Sequence, residues 1–167
     1  MMLQIREAAV TDIADIQKIA DATWPIAYGV ILSNAQITYM LEMMYSTPAL
    51  VSQMTPQQHR FLVAHINDVA VGFASYEINA DSERNATKLH KLYCLPTQQK
   101  SGVGAALIAN VEKTALGAKQ RVIRLNVNKN NNAISFYKRY NFRVIGEVIV
   151  DIGQGFLMDD FVMEKWL

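Results

Sequence analysis

Leu89-His-Lys-Leu-Tyr-Cys-Leu-Pro-Thr-Gln-Gln-Lys-Ser-Gly-Val-Gly104 is the stretch on which the fold turns. Leu89, Leu92, Tyr93 and Leu95 give its first part the apolar, aromatic character of a strand, and Pro96 ends it. From Val103 onward the apolar residues fall at Val103, Leu107, Ile108, Val111 and Ala115, which is a helical stripe. Between the two lies Gln99-Lys-Ser-Gly-Val-Gly104. Amides at a helix start carry partial positive charge and have no carbonyl partner, and glycine lets a ligand approach them. Such a turn suits a phosphate or pyrophosphate. A dinucleotide fingerprint would need a small residue where Leu107 stands and an acid where the next strand runs out at Val127-Asn128-Lys129. A P-loop would need Gly-Lys-Ser/Thr, and Gly104 is followed by two alanines. A plain glycine-capped junction of strand and helix stays open on this stretch alone.

Gln99-x-x-Gly102-x-Gly104 after a strand resembles the acyl-CoA-binding motif of the GNAT superfamily of N-acetyltransferases. Asn130-x-x-Ala133-x-x-Phe136-Tyr137-x-x-x-Asn141-Phe142 is similar to the second motif of that family, at the expected distance. Asn141 departs from the usual glycine, but Asn is the next-best residue for a left-handed turn after a helix. The resemblance implies an α/β acyl-CoA N-acyltransferase fold, a mixed and mostly antiparallel sheet flanked by helices. It implies transfer of an acetyl group from acetyl-CoA to a primary amine by direct attack in a ternary complex.

The same resemblance assigns residues. CoA is expected in a cleft where the Leu89–Leu95 strand splays from the Arg121–Val127 strand. Main chain near Tyr93, Cys94 and Leu95 would pair with the pantetheine arm, and one amide there would stabilise the tetrahedral oxyanion. Gln99, Lys100, Ser101, Gly102, Val103 and Gly104 would hold the pyrophosphate, and Asn130 and Ala133 would also meet CoA. Tyr137 is implied as the acid that protonates the departing thiolate. Lys88 stands near where relatives often carry an acidic base, so His90 is the first candidate base and Glu77 the second. A packed, purely structural histidine is the competing reading of His90. Trp24, Tyr28 and Glu77 are expected to line the acceptor site, with ordinary core packing as the alternative for each aromatic. Leu-His-Lys-Leu-Tyr and Thr-Trp-Pro resemble bacterial members acting on small amines, polyamines included. Peptide N-termini, protein lysines and a non-catalytic acyl-CoA sensor are the alternatives.

Composition bounds the rest. The 167 residues suit a single domain, 1–167, and 16 Lys+Arg against 15 Asp+Glu leave no bulk field for nucleic acid or anionic membrane. Cys94 is the only cysteine, so no intrachain disulfide forms and a cytoplasmic setting is expected. The first residues show no signal pattern, and no apolar run reaches the ~20 residues of a membrane helix. His59 and His65 lack partners at ligand spacing, so no metal is expected. The resemblance makes a homodimer, with the last strand as exchange element, a reasonable expectation.

Along the chain, Leu3 to Ala8 reads as a strand, and Thr11-Asp12 as the cap of a helix that Trp24-Pro25 interrupts. Ser33 to Met44 is a second helix, and Ser46 to Gln58 a loop or ragged helix. Arg60–Ile66 and Val69–Ile78 form a hairpin through Asn67-Asp68, with a third strand from Ala86 to Leu95. The helix after Gly102 stops at Gly117, and Arg121–Val127 follows as a parallel crossover strand. A helix from Asn130, a strand from Phe142 and a last strand, Phe156 to Trp166, close the sheet.

Overall fold

The computed structural model describes residues 2–167. Strands β1 (Leu3–Glu7), β2 (Arg60–Ile66), β3 (Val69–Asp81), β4 (Ala86–Cys94), β5 (Val122–Asn128), β6 (Arg143–Gly153) and β7 (Phe156–Trp166) form one sheet. Its order is β1-β2-β3-β4-β5-β7-β6. Every pairing is antiparallel except β4 with β5. The sheet is therefore the mixed, mostly antiparallel one expected, but β7 inserts between β5 and β6 and leaves β6 at the edge.

Helices α1 (Ile13–Tyr28), α2 (Asn34–Tyr45) and α3 (Thr47–Met54) cover one face of the sheet. Ile16, Ile19 and Trp24 pack there on Phe61, Val63 and Phe73. Helices α4 (Val103–Gly117) and α5 (Ala133–Arg139) cover the other, with Leu107, Val111 and Ala115 against Leu89, Ile123 and Leu125. Among the described residues no helix is long and apolar enough to cross a membrane.

Local chemistry sets the ends of these elements. Asn67 and Asp68 both adopt positive φ, the two-residue turn that matches strand twist between β2 and β3. Ser33 and Ser46 cap α2 and α3 by accepting from the Gln36 and Ala49 amides. The Ser46–Gln58 segment is thus mostly helix, started by Ser46 with Pro48 in the first turn. Asp12 precedes α1 without capping it. Its carboxylate turns back to the Ala9 amide at 2.8 Å and to Arg6 at 2.7 Å.

Pro25 does not end α1, contrary to expectation. The apolar stripe Ile16, Ile19, Ala20, Trp24, Tyr28 continues through it, and burial of the two aromatics outweighs the missing hydrogen bond. The carbonyl orphaned by Pro25 belongs to Asp21, which is exposed and can bond water. The continuation matters because it carries Tyr28 over the middle of the sheet.

Glu164 of β7 pins the sheet at the paired end of β4 and β5. Arg84, in the β3–β4 turn, grips it at 2.5 and 3.0 Å, and Arg124 of β5 at 2.7 and 3.0 Å. Burial alone would raise the Glu164 carboxyl, but the two guanidinium groups outweigh that and hold it low. A depressed carboxyl stabilises the fold above its unfolded pKa of ~4.3, and that contribution fades as pH falls through the folded value. Glu164→Ala should cost roughly 2 kcal/mol by urea unfolding at pH 7, below the range for a fully enclosed pair because both arginines are about a third exposed. The variant's stability should also fall less steeply than wild type between pH 5 and 3, measured as urea midpoints.

Candidate active site

Strands β4 and β5 are paired only at Ala86–Val122, Thr87–Ile123 and Lys88–Arg124. Beyond Lys88 they diverge. A bulge in the β3–β4 ladder falls at the same place, since Leu89 faces Tyr76 and Lys91 faces Ser75, leaving His90 as the extra residue. A bulge bends and twists its strand, which accounts for β4 leaving its neighbour here. The result is an open wedge between Leu89–Cys94 and Leu125–Asn128.

The wedge has unspent main-chain groups. The Leu95 amide donates to the Val71 carbonyl at 2.8 Å, and the Leu95 carbonyl accepts from the Gln98 amide at 2.8 Å. Leu95 is therefore already committed, which corrects the expectation that its main chain serves the wedge. Antiparallel alternation then turns Tyr93 toward β3 and leaves Leu92 and Cys94 facing the side that β5 has left. The Cys94 thiol is pushed up to about 11 by burial, so it is a packing residue rather than a nucleophile at neutral pH.

At one end of the wedge stands the start of α4. Lys100 and Gly102 adopt positive φ, +66° and +89°, which coils the loop before the helix. The first bond into the helix is from the Ala106 amide to the Gly102 carbonyl at 3.0 Å. The amides of Val103, Gly104 and Ala105 have no carbonyl partner, as helix geometry requires. The Gln99 and Ser101 amides instead turn inward to Pro96 and Gln98 carbonyls at 3.4 and 3.3 Å. The two glycines differ in purpose. A side chain at Gly102 would meet nothing within 4 Å, whereas a Cβ at Gly104 would lie 3.1 Å from the Phe136 ring. Gly104 thus lets α5 pack against α4, a role that its place in a phosphate-binding pattern hid.

That packing sets Tyr137. Its ring lies edge-on to Phe136 and Phe142, and the side chain is buried. Burial, with the nearby Tyr28 and Cys94, raises its pKa, so it keeps its proton at working pH. No described residue hydrogen-bonds its hydroxyl. Asn131 takes the capping role at α5, accepting from the Ala133 amide at 2.8 Å, which leaves the Asn130 side chain unengaged.

On the opposite face, Tyr28 bridges the wedge. Its hydroxyl lies 3.1 Å from that of Tyr93 and accepts from Asn131 Nδ2 at 3.3 Å. Burial raises the Tyr28 pKa despite both contacts. Trp24 sits behind it at a ring separation of 4.4 Å and is 1% exposed. A ligand cannot touch Trp24 without displacing Tyr28, so its expected place in the acceptor site is corrected to one of support.

His90, Glu77 and His59 form one cluster. His90 Nε2 is 3.0 Å and His59 Nε2 3.6 Å from the same Glu77 oxygen, and the two rings stack at 4.0 Å. Burial, then His59, Lys88 and Lys91, push the His90 imidazole well below its usual range. His59 thus has the partners that sequence spacing alone did not show. The ligand-capable atoms of the three residues lie within 4.8 Å of one another, close enough to share a cation, although Lys88 and Lys91 add positive charge that opposes one. Lys91 is buried on the same face, its ammonium on Gln53 at 2.5 Å and over the Tyr45 and Phe61 rings. Burial lowers it to about 8.

A family profile for the acetyltransferase (GNAT) domain matches residues 32–158. The chain belongs to the GNAT family. It is an N-acetyltransferase with acetyl-CoA as donor. Spermidine N(1)-acetyltransferase of Thermoplasma acidophilum is 26% identical over 170 residues, covering 99% of this chain and 98% of that protein. The structure of the PaiA N-acetyltransferase from the same organism, in complex with coenzyme A, superposes with a TM-score of 0.82 at 26% identity over all of both chains. A GCN5-related N-acetyltransferase from Rhodopseudomonas palustris shares the fold, with a TM-score of 0.83 at 21% identity over 100% of this chain and 99% of that one. The GNAT fold expected from Gln99–Gly104 and Asn130–Phe142 is the fold present.

Asp160, Asn128 and the Lys91–Gln53 pair are buried polar groups that no local sequence motif marks. Only polar residues at inward positions of a strand, as in Met158-Asp-Asp-Phe-Val162, hinted at them.

Proposed function

We propose that this GNAT enzyme acetylates small aliphatic primary amines, polyamines foremost, by direct attack of the amine on acetyl-CoA in a ternary complex. The observation that carries this reading is the divergence of β4 from β5 beyond Lys88, with an unbonded Tyr137 hydroxyl beside the gap and free α4 amides at its end. The extended pantetheine arm would add to the Cys94 side of β4 as a strand adds to a sheet edge. The diphosphate would meet the amides of Val103 and Gly104, with Lys100 contributing charge and Gln99, Ser101 and Gly102 shaping the turn. Asn130 and Ala133 would face CoA from the start of α5. The Cys94 amide would stabilise the tetrahedral oxyanion, and loss of such a donor typically costs on the order of a hundredfold in rate. Tyr137 would protonate the leaving thiolate.

On the acceptor side, Tyr28 would wall the site, with Glu77 and His90 beside it. A neutral His90 bonded to Glu77 is a weak match for the base, because the proton must come from an ammonium with pKa near ~10. A polyamine is favoured by the spermidine N(1)-acetyltransferase relative; the cleft of about 650 Å³ on this face carries Asp81 and Glu83 balanced by Lys88 and Arg124, and so does not itself select a cation. CoA release should be measured with spermidine, a simple diamine, a lysine peptide and a peptide N-terminus. The highest kcat/KM should fall to the polyamine. Equal or better use of either peptide would overturn the assignment.

A further inference from the structure

Asp160 of β7 lies opposite Asn128 of β5 and Val148 of β6. Strand alternation puts it on the face of Met158, Val162 and Glu164, the face covered by α1 and α2. Val162, Asn126 and Val148, its neighbours there, line the 650 Å³ cleft together with Lys88 and Arg124. Asp160 therefore stands where that cleft runs into the wedge beneath Tyr28.

Among the described residues three acids are buried, and two are fully engaged. Asp12 holds Arg6 and the Ala9 amide, and Glu164 holds Arg84 and Arg124. Asp160 is 7% exposed, and its Oδ1 has neither solvent nor a hydrogen-bond partner among the described residues. A buried carboxylate oxygen without a donor destabilises the fold, and its persistence points to a ligand that supplies the donor. The charged and titratable groups facing it are Lys88 across the gap on β4, Tyr28 from α1 and Asp159 on its own strand, while Val148 from β6 is uncharged. Burial, then Asp159, raise its carboxyl to about 6 against the pull of Lys88. At pH 7.5 it is therefore ionised.

We propose that Asp160 is the carboxylate that receives the acceptor amine, accepting a hydrogen bond from its ammonium and taking the proton that nitrogen sheds to become a nucleophile. The proposal rests on the acetyl-transfer reading above and adds the base to it. The neutral amine's lone pair forms the C–N bond at the thioester carbon, and the carbonyl pair moves onto oxygen. Collapse of that oxyanion breaks the C–S bond, and the thiolate takes the Tyr137 proton. The remaining ammonium proton of the intermediate restores Tyr137, and Asp160 releases its own to solvent. One ammonium and one thioester give one amide, one thiol and one proton.

Asp160→Asn keeps the shape and removes the charge. With spermidine at pH 7.5, kcat/KM for the amine should fall ~100-fold or more, while CoA affinity by calorimetry holds within about twofold. The melting temperature should stay level or rise, because a desolvated charge is gone; a structural role would lower it. Asp160→Ala should regain activity several-fold with added formate. Asp160→Asn activity within about threefold of wild type would overturn the proposal, as would a parallel loss of CoA affinity and melting temperature, or a formate-insensitive Ala variant. If wild type itself releases no CoA with any amine, the acetyl-transfer reading fails, and the proposal with it.

Discussion

Replacing Tyr137 by Phe is expected to lower kcat by ~100-fold or more while KM for acetyl-CoA moves by less than about threefold. The ring would stay, since its contacts with Phe136 and Phe142 do not use the hydroxyl. Only a buried O–H beside Cys94 is removed. A departing thiolate needs a proton, and a phenol kept protonated by burial stands beside Cys94 as the donor at hand. Protein stability should be unaffected, because no hydrogen bond to that hydroxyl is lost within the described chain. Steady-state kinetics with a saturating amine would check this. Unchanged kcat would remove Tyr137 from the reaction, whereas a fall in kcat matched by a fall in CoA affinity would make it a packing residue.

Gly102→Asp should abolish CoA binding at concentrations where wild type saturates, with Kd raised ~100-fold or more. Gly102 sits at φ +89°, where a side chain is strained, and the space around its missing Cβ is open. An aspartate would therefore project freely at the mouth of α4 and set a negative charge where a diphosphate is expected. The backbone strain should cost only ~1–2 kcal/mol, so the variant should remain folded. Gly102→Ala separates the two effects, since it carries the strain without the charge and should weaken binding far less. Equal Kd values for Gly102→Asp and wild type would place the diphosphate elsewhere.

Legibility in the sequence followed contact distance along the chain. Gln99–Gly104 and Asn130–Phe142 could be read because each is a local pattern in which turn chemistry and helical spacing agree. The hairpin at Asn67-Asp68 could be read for the same reason. Asp160 and Glu164 could not, since their meaning depends on β7 entering between β5 and β6, a pairing no local pattern announces. His59 meets Glu77 and His90 only across three strands of register and one bulge. Trp24-Pro25 misled because a local rule against helix lost to the burial of Trp24 and Tyr28, which only the assembled sheet provides.

Amide hydrogen exchange of the wild-type protein, with and without saturating coenzyme A, tests the wedge most directly. Protection should appear at Lys100, at Gly102 through Ala105 and at Cys94, amides without partners among the described residues, with little change along β1 and β2. Unchanged exchange at these amides, or protection confined to another part of the sheet, would contradict the account.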